Sequence, residues 1–338
     1  MLITVASAKG SVPREPGTRM VVTRSELHGT IGGGHLELQA TGIARDLLAG
    51  GEVAQLRRFP LGASLGQCCG GSVNLMFEAV AASSEQACWL DQIHLHRSRA
   101  EDCVLVSGAG RTAASGSLVV CASGFSGSLG DAATDAAAAA LARELLASHC
   151  SPRMAALVPG GPLYLLAPLR EPDLRIVLFG AGHVGRALAR LLGGLPCSLT
   201  WVDERESSFP ATVAANTEVV ATDLPVAEVD AARPRSCFLV MTHSHPLDQT
   251  LAEAILRRSD FRYFGLIGSL SKRRQFERRL AARGIDAPTL ARMNCPIGIS
   301  GIHGKEPAAI AVAVAAQLLR LAARSTSCGS AAVEAASR

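Results

Sequence analysis

The sequence IVLFGAGHVGRALARLL, residues 176–192, carries the strongest structural signal in this chain. Four apolar residues at 176–179 predict a buried parallel strand, and Gly180, Gly182 and Gly185 follow it at the G-x-G-x-x-G spacing. In this motif the first glycine permits a tight turn, the second lets a phosphate approach the backbone, and the third lets the following helix pack closely on the strand. The amide groups at the start of that helix then face the anion.

A second apolar strand, predicted at residues 199–202, ends in Asp203, near the ~20-residue distance expected for a ribose-binding carboxylate. Further strands alternate with helices towards the C-terminus. The pattern predicts a Rossmann-like, doubly wound parallel sheet over residues 171–325, followed by a flexible tail at 326–338. The motif alone suggests an NAD(P)-dependent oxidoreductase, in which Arg205 would favour a 2′-phosphate, although no Tyr-x-x-x-Lys pair accompanies it.

The length of 338 residues favours two domains of about 150 residues each. A hydrophobic content of 48% against 18% charged residues is typical of a globular chain, and the net charge of +4 is too balanced to predict nucleic-acid binding. No apolar run reaches the ~18 residues that span a bilayer, and the first residues lack the basic region of a signal peptide. Ten scattered cysteines fit free thiols, so we expect a cytoplasmic protein without a membrane or nucleic-acid partner.

The N-terminal half predicts a separate α+β domain over residues 1–170. Apolar or alternating stretches predict strands near residues 2–6, 20–23, 53–59, 73–79, 103–107, 117–122 and 163–167. Apolar residues at helical spacing predict helices near residues 35–49, 85–97 and 135–148.

A glycine loop of this domain suits an anionic ligand. GTIGGGHLE contains three consecutive glycines, Gly32, Gly33 and Gly34, whose amide groups no side chain shields and which lead into a helix. Glu37 is expected to be a first-turn partner of the helix dipole and nothing more.

Two arginines belong to a preceding loop, GSVPREPGTR. Arg14 lies between its prolines and Arg19 closes it. Each guanidinium could pair a phosphate or carboxylate with two hydrogen bonds, and the alternative for each is a solvated loop charge.

LGQCCGG places Cys68 and Cys69 in a turn flanked by glycines. Accessible thiols near backbone amides favour the thiolate, which binds soft metals. The alternative is two buried cysteines that serve as small apolar residues. A structural zinc site is disfavoured, because adjacent cysteines would need two further ligands from elsewhere in the chain.

MTHSHPLD, residues 241–248, follows a predicted strand and therefore lies at the C-terminal edge of the sheet, where such folds bind ligands. His243, His245 and Asp248 are candidate metal ligands or acid–base groups. The alternative is that a hydroxyl of this segment caps the next helix and Asp248 complements its dipole.

GLIGSLSKRRQFERRL, residues 265–280, is another glycine-rich strand end that enters a helix, and Ser269 is placed to cap that helix or contact a ligand. Five basic residues between Lys272 and Arg279 predict a solvated basic face. Phe276 is the one aromatic among them, so a nucleic-acid site is not predicted.

Eight segments together resemble the XdhC/CoxI family, the xanthine dehydrogenase accessory proteins. They are GSVPREPGTRM, GTIGGGHLE, LGQCCGG, FGAGHVGRALA, VDER, MTHSHPLD, GLIGSLSKRRQF and CPIGISGIHGKEPAAIAVAVAAQ. The resemblance implies a chaperone of purine catabolism that binds the molybdenum cofactor (molybdopterin), supports its sulfuration and hands it to xanthine dehydrogenase or a related molybdenum hydroxylase. A cysteine desulfurase is the implied sulfur donor, and a homodimer is compatible with the apolar helices. Family members carry an extra helical segment before the first strand, so we expect this chain to be shortened there.

The resemblance also suggests roles for the candidate residues. Cys68 and Cys69 would contact molybdenum or relay sulfur. The phosphate would lie on the glycines of the Rossmann turn, and the other cofactor-binding candidates, some lining a cleft between the domains, are Arg14, Gly32, Gly33, Gly34, Asp203, His243 and Ser269. Two alternatives stay open: an NAD(P)-dependent oxidoreductase, and a metal or redox sensor built on the paired thiols. The target enzyme and the mononucleotide or dinucleotide form of the cofactor also stay open.

Overall fold

The computed structural model describes residues 1–51, 54–62, 70–80, 88–99, 101–110, 116–148, 150–302 and 304–335, with side chains up to residue 323. The chain divides into two compact units, Met1–Glu171 and Pro172–Arg338. None of the helices in the described residues combines the length and hydrophobicity that crossing a bilayer requires.

The first sheet of the N-terminal unit has five antiparallel strands, which are β1 (Leu2–Lys9), β2 (Arg19–Val22), β3 (Leu27–Gly29), β4 (Ala54–Pro60) and β5 (Ser72–Glu78). They lie in the order β3-β2-β1-β5-β4. Helix α1 (Gly34–Gly50) covers one face, because Leu36, Ala40 and Ala44 recur at helical spacing and are fully buried.

The second sheet of this unit is also antiparallel, and its strands are β6 (Cys103–Gly108), β7 (Ser117–Cys121), β8 (Phe125–Gly127), β9 (Arg153–Ala156) and β10 (Leu163–Leu169). Their order is β8-β7-β6-β10-β9. Helix α2 (Cys88–Ser98) packs on one face through Trp89 and Ile93, and α3 (Ala132–Ala147) packs on the other. Ala6 and Met76 of the first sheet pack on Leu165 of the second.

The C-terminal unit has six parallel strands, which are β11 (Arg175–Phe179), β12 (Ser198–Asp203), β13 (Thr217–Ala221), β14 (Cys237–Val240), β15 (Tyr263–Leu266) and β16 (Met293–Asn294). The connecting helices are α4 (His183–Leu192), α5 (Pro225–Ala231), α6 (His245–Arg257), α7 (Leu270–Ala282), α8 (Ala287–Ala291) and α9 (Pro307–Ala335). The order β13-β12-β11-β14-β15-β16 is that of a classic Rossmann sheet.

The predicted fold class, an α+β unit followed by a doubly wound parallel sheet, is confirmed. Apolar cores lie on both faces of the parallel sheet: α4 and α9 pack on one, and helices α5 to α8 on the other. Helix α9 extends to Ala335, beyond residue 325, where the predicted Rossmann-like region ends. The strand order reverses between β11 and β14, so the loops after these strands diverge and leave a crevice at the C-terminal edge of the sheet.

Candidate functional site

The three glycines of the Rossmann turn differ in whether the fold requires a glycine at their position. Gly180 has a φ of 114°, and a Cβ there would clash with the carbonyl of Met241. A Cβ on Gly185 would clash with the carbonyl of Gly180, so this glycine permits the close packing of α4. A Cβ on Gly182 would meet nothing within 4 Å. Packing therefore demands the first and third glycines, whereas the second leaves open space at the start of α4.

Two residues of β12 hold this turn from behind. The Nε1 of Trp201, which is 1% exposed, donates a hydrogen bond to the carbonyl of Gly180 at 3.1 Å. The amide of Ala181 donates to Oδ2 of Asp203 at 2.6 Å. Burial raises the pKa of Asp203, but hydrogen bonds from Arg205 and Ala181 outweigh burial and keep the pKa below its ordinary value.

A small crevice opens in front of the turn. It is lined by Phe179, Gly180, Val202, Asp203, Glu204, Pro225, Thr242, His243 and Leu247. His243 Nε2 lies 3.7 Å from Oε1 of Glu204, and both side chains are about half exposed. The structure thus brings the predicted residues Gly180, Asp203 and His243 to one place. Helix α4 begins at the same edge of the sheet, directly after the glycine turn. No side chain in the described structure caps it, so its first amides have no side-chain acceptor.

A buried ion pair fixes the loop that carries His243. Oδ1 of Asp248 accepts hydrogen bonds from the hydroxyl of Thr242 at 2.7 Å and from its amide at 3.2 Å. Oδ2 accepts from Nζ of Lys272 at 2.6 Å, and Lys272 also donates to the carbonyl of Ile267 at 2.9 Å. The Asp248 side chain is 0% exposed.

This arrangement corrects two expectations. The carboxylate of Asp248 is committed to its own chain, so it is not available as a metal ligand, and it does more than complement a dipole. Lys272 does not belong to a solvated basic face, because its side chain is only 10% exposed.

The capping interpretations are confirmed. Oγ of Ser269 accepts from the amide of Lys272 at 3.2 Å at the start of α7, and Ser244 caps α6 through the amide of Leu247 at 3.4 Å. Ser269 is exposed, and ligand contact by it stays a prediction.

The glycine loop before α1 is organised by Glu37. Oε2 of Glu37 accepts from the hydroxyl of Thr30 at 2.5 Å and from the amides of Ile31 and Gly33 at 3.1 Å each. The amide of Gly32 donates to the Thr30 hydroxyl at 3.0 Å. The expectation of unshielded amides is therefore wrong for Gly32 and Gly33, because an internal carboxylate and a hydroxyl already occupy them. Glu37 is a loop-organising residue and not merely a dipole partner.

Arg14 is exposed and its loop lies against the glycine loop. A Cβ on Gly32 (φ 121°) would clash with Pro13 at 2.6 Å and touch the side chain of Arg14 at 3.4 Å. Gly33 has open space around it, and Gly34 begins α1 with a φ of 65°. The structure thus brings together the predicted residues Arg14, Gly32, Gly33 and Gly34.

Arg19 is not a solvated loop charge. Burial lowers the pKa of its guanidinium, with Glu78 opposing the shift. Its Nη2 is buried and has no hydrogen-bond partner among the described residues.

Cys68 and Cys69 lie outside the described residues. Two glycines that follow them, Gly70 and Gly71, are described, and a Cβ on Gly71 would clash with the carbonyls of Lys9 and Ser11. In the part of the chain that the structure describes, no group of three or more His, Cys, Asp or Glu side chains could hold a metal ion.

Other cysteines behave as small apolar residues. Burial raises the pKa of Cys103 and of Cys197 to about 11, and that of Cys237 to about 12. These thiols are therefore not thiolates at neutral pH.

Comparison with known proteins identifies the family of this chain. The sequence model of the XdhC Rossmann domain matches residues 176–318, and the model of the XdhC and CoxI family matches residues 1–60. Together the two matches span more than half of the chain.

The chain belongs to the XdhC and CoxI family.

One sequence relative and one solved structure are similar to this XdhC-family chain. YqeB of Escherichia coli K12 is 29% identical over 168 residues, which are 48% of this chain and 30% of YqeB, so the chain spans less than a third of that relative. A Bacillus halodurans protein named as a xanthine dehydrogenase has a crystal structure that superposes with a TM-score of 0.69 at 20% identity, over 95% of this chain and 90% of that one. At this identity the likeness shows the fold alone.

Sequence reasoning missed three residues that shape the candidate sites of this chain. Lys272 lies four residues before Phe276 and eight before Leu280, so it belongs to the buried stripe of α7, a signal that helical periodicity contains. Glu37 follows the glycines at the spacing of a first helical turn, from which a carboxylate can fold back. Trp201 carries no sequence signal for its hydrogen bond to the turn.

Proposed function

We propose that this protein is an accessory protein that binds the molybdenum cofactor, supports its sulfuration and delivers it to xanthine dehydrogenase or a related molybdenum hydroxylase. Membership of the XdhC and CoxI family supports the accessory role. The Bacillus halodurans protein of the same fold is itself named as a xanthine dehydrogenase. The cofactor is the protein's cargo, and it combines a phosphate, a flat pterin and a molybdenum held by a dithiolene.

The observation that carries the binding proposal is the open space at Gly182. Its φ of −72° and ψ of −173° are accessible to any residue, and a side chain there would meet nothing. The fold therefore does not require a glycine at this position. A phosphate that approaches the first amides of α4 does require it, because a Cβ would stand in its path.

The surrounding residues have distinct tasks in this proposal. Trp201 and Asp203 fix the turn, so that its amides are already oriented when the phosphate arrives. His243 and Glu204 present polar groups at the mouth of the crevice, where they suit the hydrogen-bonding edge of a pterin. Oriented donors of this kind bind without the cost of ordering a loop.

The N-terminal unit contributes a second binding surface in the proposal. Arg14 supplies an exposed cation beside the open Gly33, and Cys68 and Cys69 are proposed as soft ligands or a sulfur relay, with sulfur supplied by a cysteine desulfurase. The bound cofactor supplies the metal–sulfur chemistry; the role of this chain is to hold and shield it before transfer.

A titration with molybdopterin under anaerobic conditions tests the proposal. The chain has two tryptophans, so a Trp89→Phe background leaves Trp201 as the only indole, directly behind the turn. We expect molybdopterin to change Trp201 emission saturably, and Gly182→Ala to weaken binding by at least about tenfold, a cost of about 1.4 kcal/mol, without lowering the melting temperature. Gly42→Ala, another glycine with open space, is the matched control. Equal binding by the Gly182→Ala variant and the wild type would contradict the proposed site.

A further inference from the structure

Asp203 occupies the position from which Rossmann dehydrogenases recognise a ribose. It is the last residue of β12, and its carboxylate reaches the amide of Ala181 in the glycine turn. In dinucleotide-binding sheets, an acid at this place accepts hydrogen bonds from the ribose hydroxyls. Such recognition needs free acceptor sites on the carboxylate.

The acceptor sites of Asp203 are already filled. Oδ1 accepts from the amide of Arg205 at 3.0 Å and from its Nε at 2.9 Å. Oδ2 accepts from Nη2 of Arg205 at 3.0 Å and from the amide of Ala181 at 2.6 Å. An ionised carboxylate has about four lone-pair sites, and four donors of the chain itself point at this one.

Arg205 covers the carboxylate on its solvent side. The Arg205 side chain is 44% exposed, whereas that of Asp203 is 5% exposed, so an approaching ribose meets the guanidinium first. The contact is bidentate, the strongest form of this ion pair. The neighbouring carboxylate, Glu204, faces His243.

We propose that the Asp203–Arg205 pair is a specificity device, which makes the crevice accept a phosphate-bearing ligand while rejecting the ribose diol of NAD(H). The inference rests on the crevice being the ligand site of the proposed function, and it narrows that site to phosphoesters whose ribose, if any, does not lie on β12. In this proposal the glycine turn binds the phosphate, and Asp203 does not contact a ribose because its acceptor sites are filled.

Removing the guanidinium should open the carboxylate. In Arg205→Ala, Oδ1 keeps the amide of residue 205 and Oδ2 keeps that of Ala181, so each oxygen regains one acceptor site, the number that two ribose hydroxyls need. Arg205→Lys removes the bidentate fork but keeps the charge, and it serves as a second variant that perturbs folding less. Asp203→Asn combined with Arg205→Ala also removes the carboxylate that would accept hydrogen bonds from the ribose.

The test is a titration with NADH, monitored by energy transfer from Trp201 in the Trp89→Phe background. We expect no saturable binding of NADH to the wild type up to about 1 mM, a value near the weak end of specific affinities. Arg205→Ala should bind NADH saturably, with a dissociation constant at least about tenfold below that limit, because two acceptor sites are regained; the gain should be smaller for Arg205→Lys and absent in the double variant. Unchanged Trp201 emission and melting temperature report that each variant is folded.

Two results would overturn the inference: saturable binding of NADH by the wild type below about 1 mM, or no gain of NADH binding in a folded Arg205→Ala or Arg205→Lys variant. The molybdopterin titration with Gly182→Ala measures the proposed function separately. A wild type that binds both molybdopterin and NADH refutes the specificity device alone, whereas one that binds neither refutes the proposed function and, with it, the acceptance of a phosphate-bearing ligand that the inference assumes.

Discussion

Replacing Lys272 with methionine is expected to destabilise the C-terminal unit strongly. Methionine keeps the length and apolar stem of lysine, so the change removes the ammonium with little change in packing. Nζ of Lys272 lies 2.6 Å from Oδ2 of Asp248, which has a fully buried side chain, and 2.9 Å from the carbonyl of Ile267. The variant therefore leaves a buried carboxylate with only the two hydrogen bonds from Thr242.

The magnitude follows from this burial. Removing one partner of a buried ion pair costs about 3–5 kcal/mol, because the remaining charge loses its compensation. An unfolding unit of this size loses about 2–4 °C of melting temperature per kcal/mol. We therefore expect a drop of about 6–20 °C.

Calorimetry and urea unfolding of Lys272→Met measure this cost. Arg274→Met is the matched control, because Arg274 lies on the exposed side of the same helix and its replacement should cost less than about 0.5 kcal/mol. The double variant Lys272→Met, Asp248→Asn should recover part of the loss, since it removes the orphaned charge. A Lys272→Met protein as stable as Arg274→Met would refute the assignment of this pair as the lock on the His243 loop.

Two further predictions concern the carboxylates that hold the glycine turns. Glu37→Ala should lower the free energy of unfolding in urea by about 2 kcal/mol, because three hydrogen bonds to one charged group are lost. Asp46→Ala, at an exposed position on the same helix, should lower it by less than about 0.5 kcal/mol. Equal costs for the two variants would contradict the loop-organising role of Glu37. Asp203→Asn should cost about 2–3 kcal/mol at pH 7. The pKa of Asp203 is lowered in the folded state, so its stabilisation is fully present above the unfolded pKa of about 3.9 and is lost as the pH falls through the folded-state pKa. The gap between Asp203→Asn and the wild type should therefore narrow below about pH 4 in urea unfolding, and a constant gap would contradict the assignment.

The fold was predictable where periodicity is strong. The Rossmann unit follows from one glycine motif with a strand before it and an apolar helical face after it, and α1 follows from apolar residues at helical spacing. β3 and β16 could not be predicted, because strands of three and two residues are too short to show alternation.

The candidate site was predictable in position but not in hydrogen bonding. The sequence indicates that Gly180, Asp203 and His243 meet at the C-terminal edge of the sheet, because parallel strands end there. It does not indicate that Arg205 fills the acceptor sites of Asp203. Such commitments depend on side-chain conformations that the fold sets over short distances, and motif spacing carries no information on them.

The central claim is that this chain carries the molybdenum cofactor on its Rossmann turn. The most direct measurement is anaerobic co-expression with cofactor synthesis, followed by quantification of pterin and molybdenum in the purified wild type and Gly182→Ala proteins. We expect stoichiometric pterin in the wild type and a marked loss in the folded Gly182→Ala variant. A wild type that purifies without pterin, or a variant that retains as much as the wild type, would contradict it.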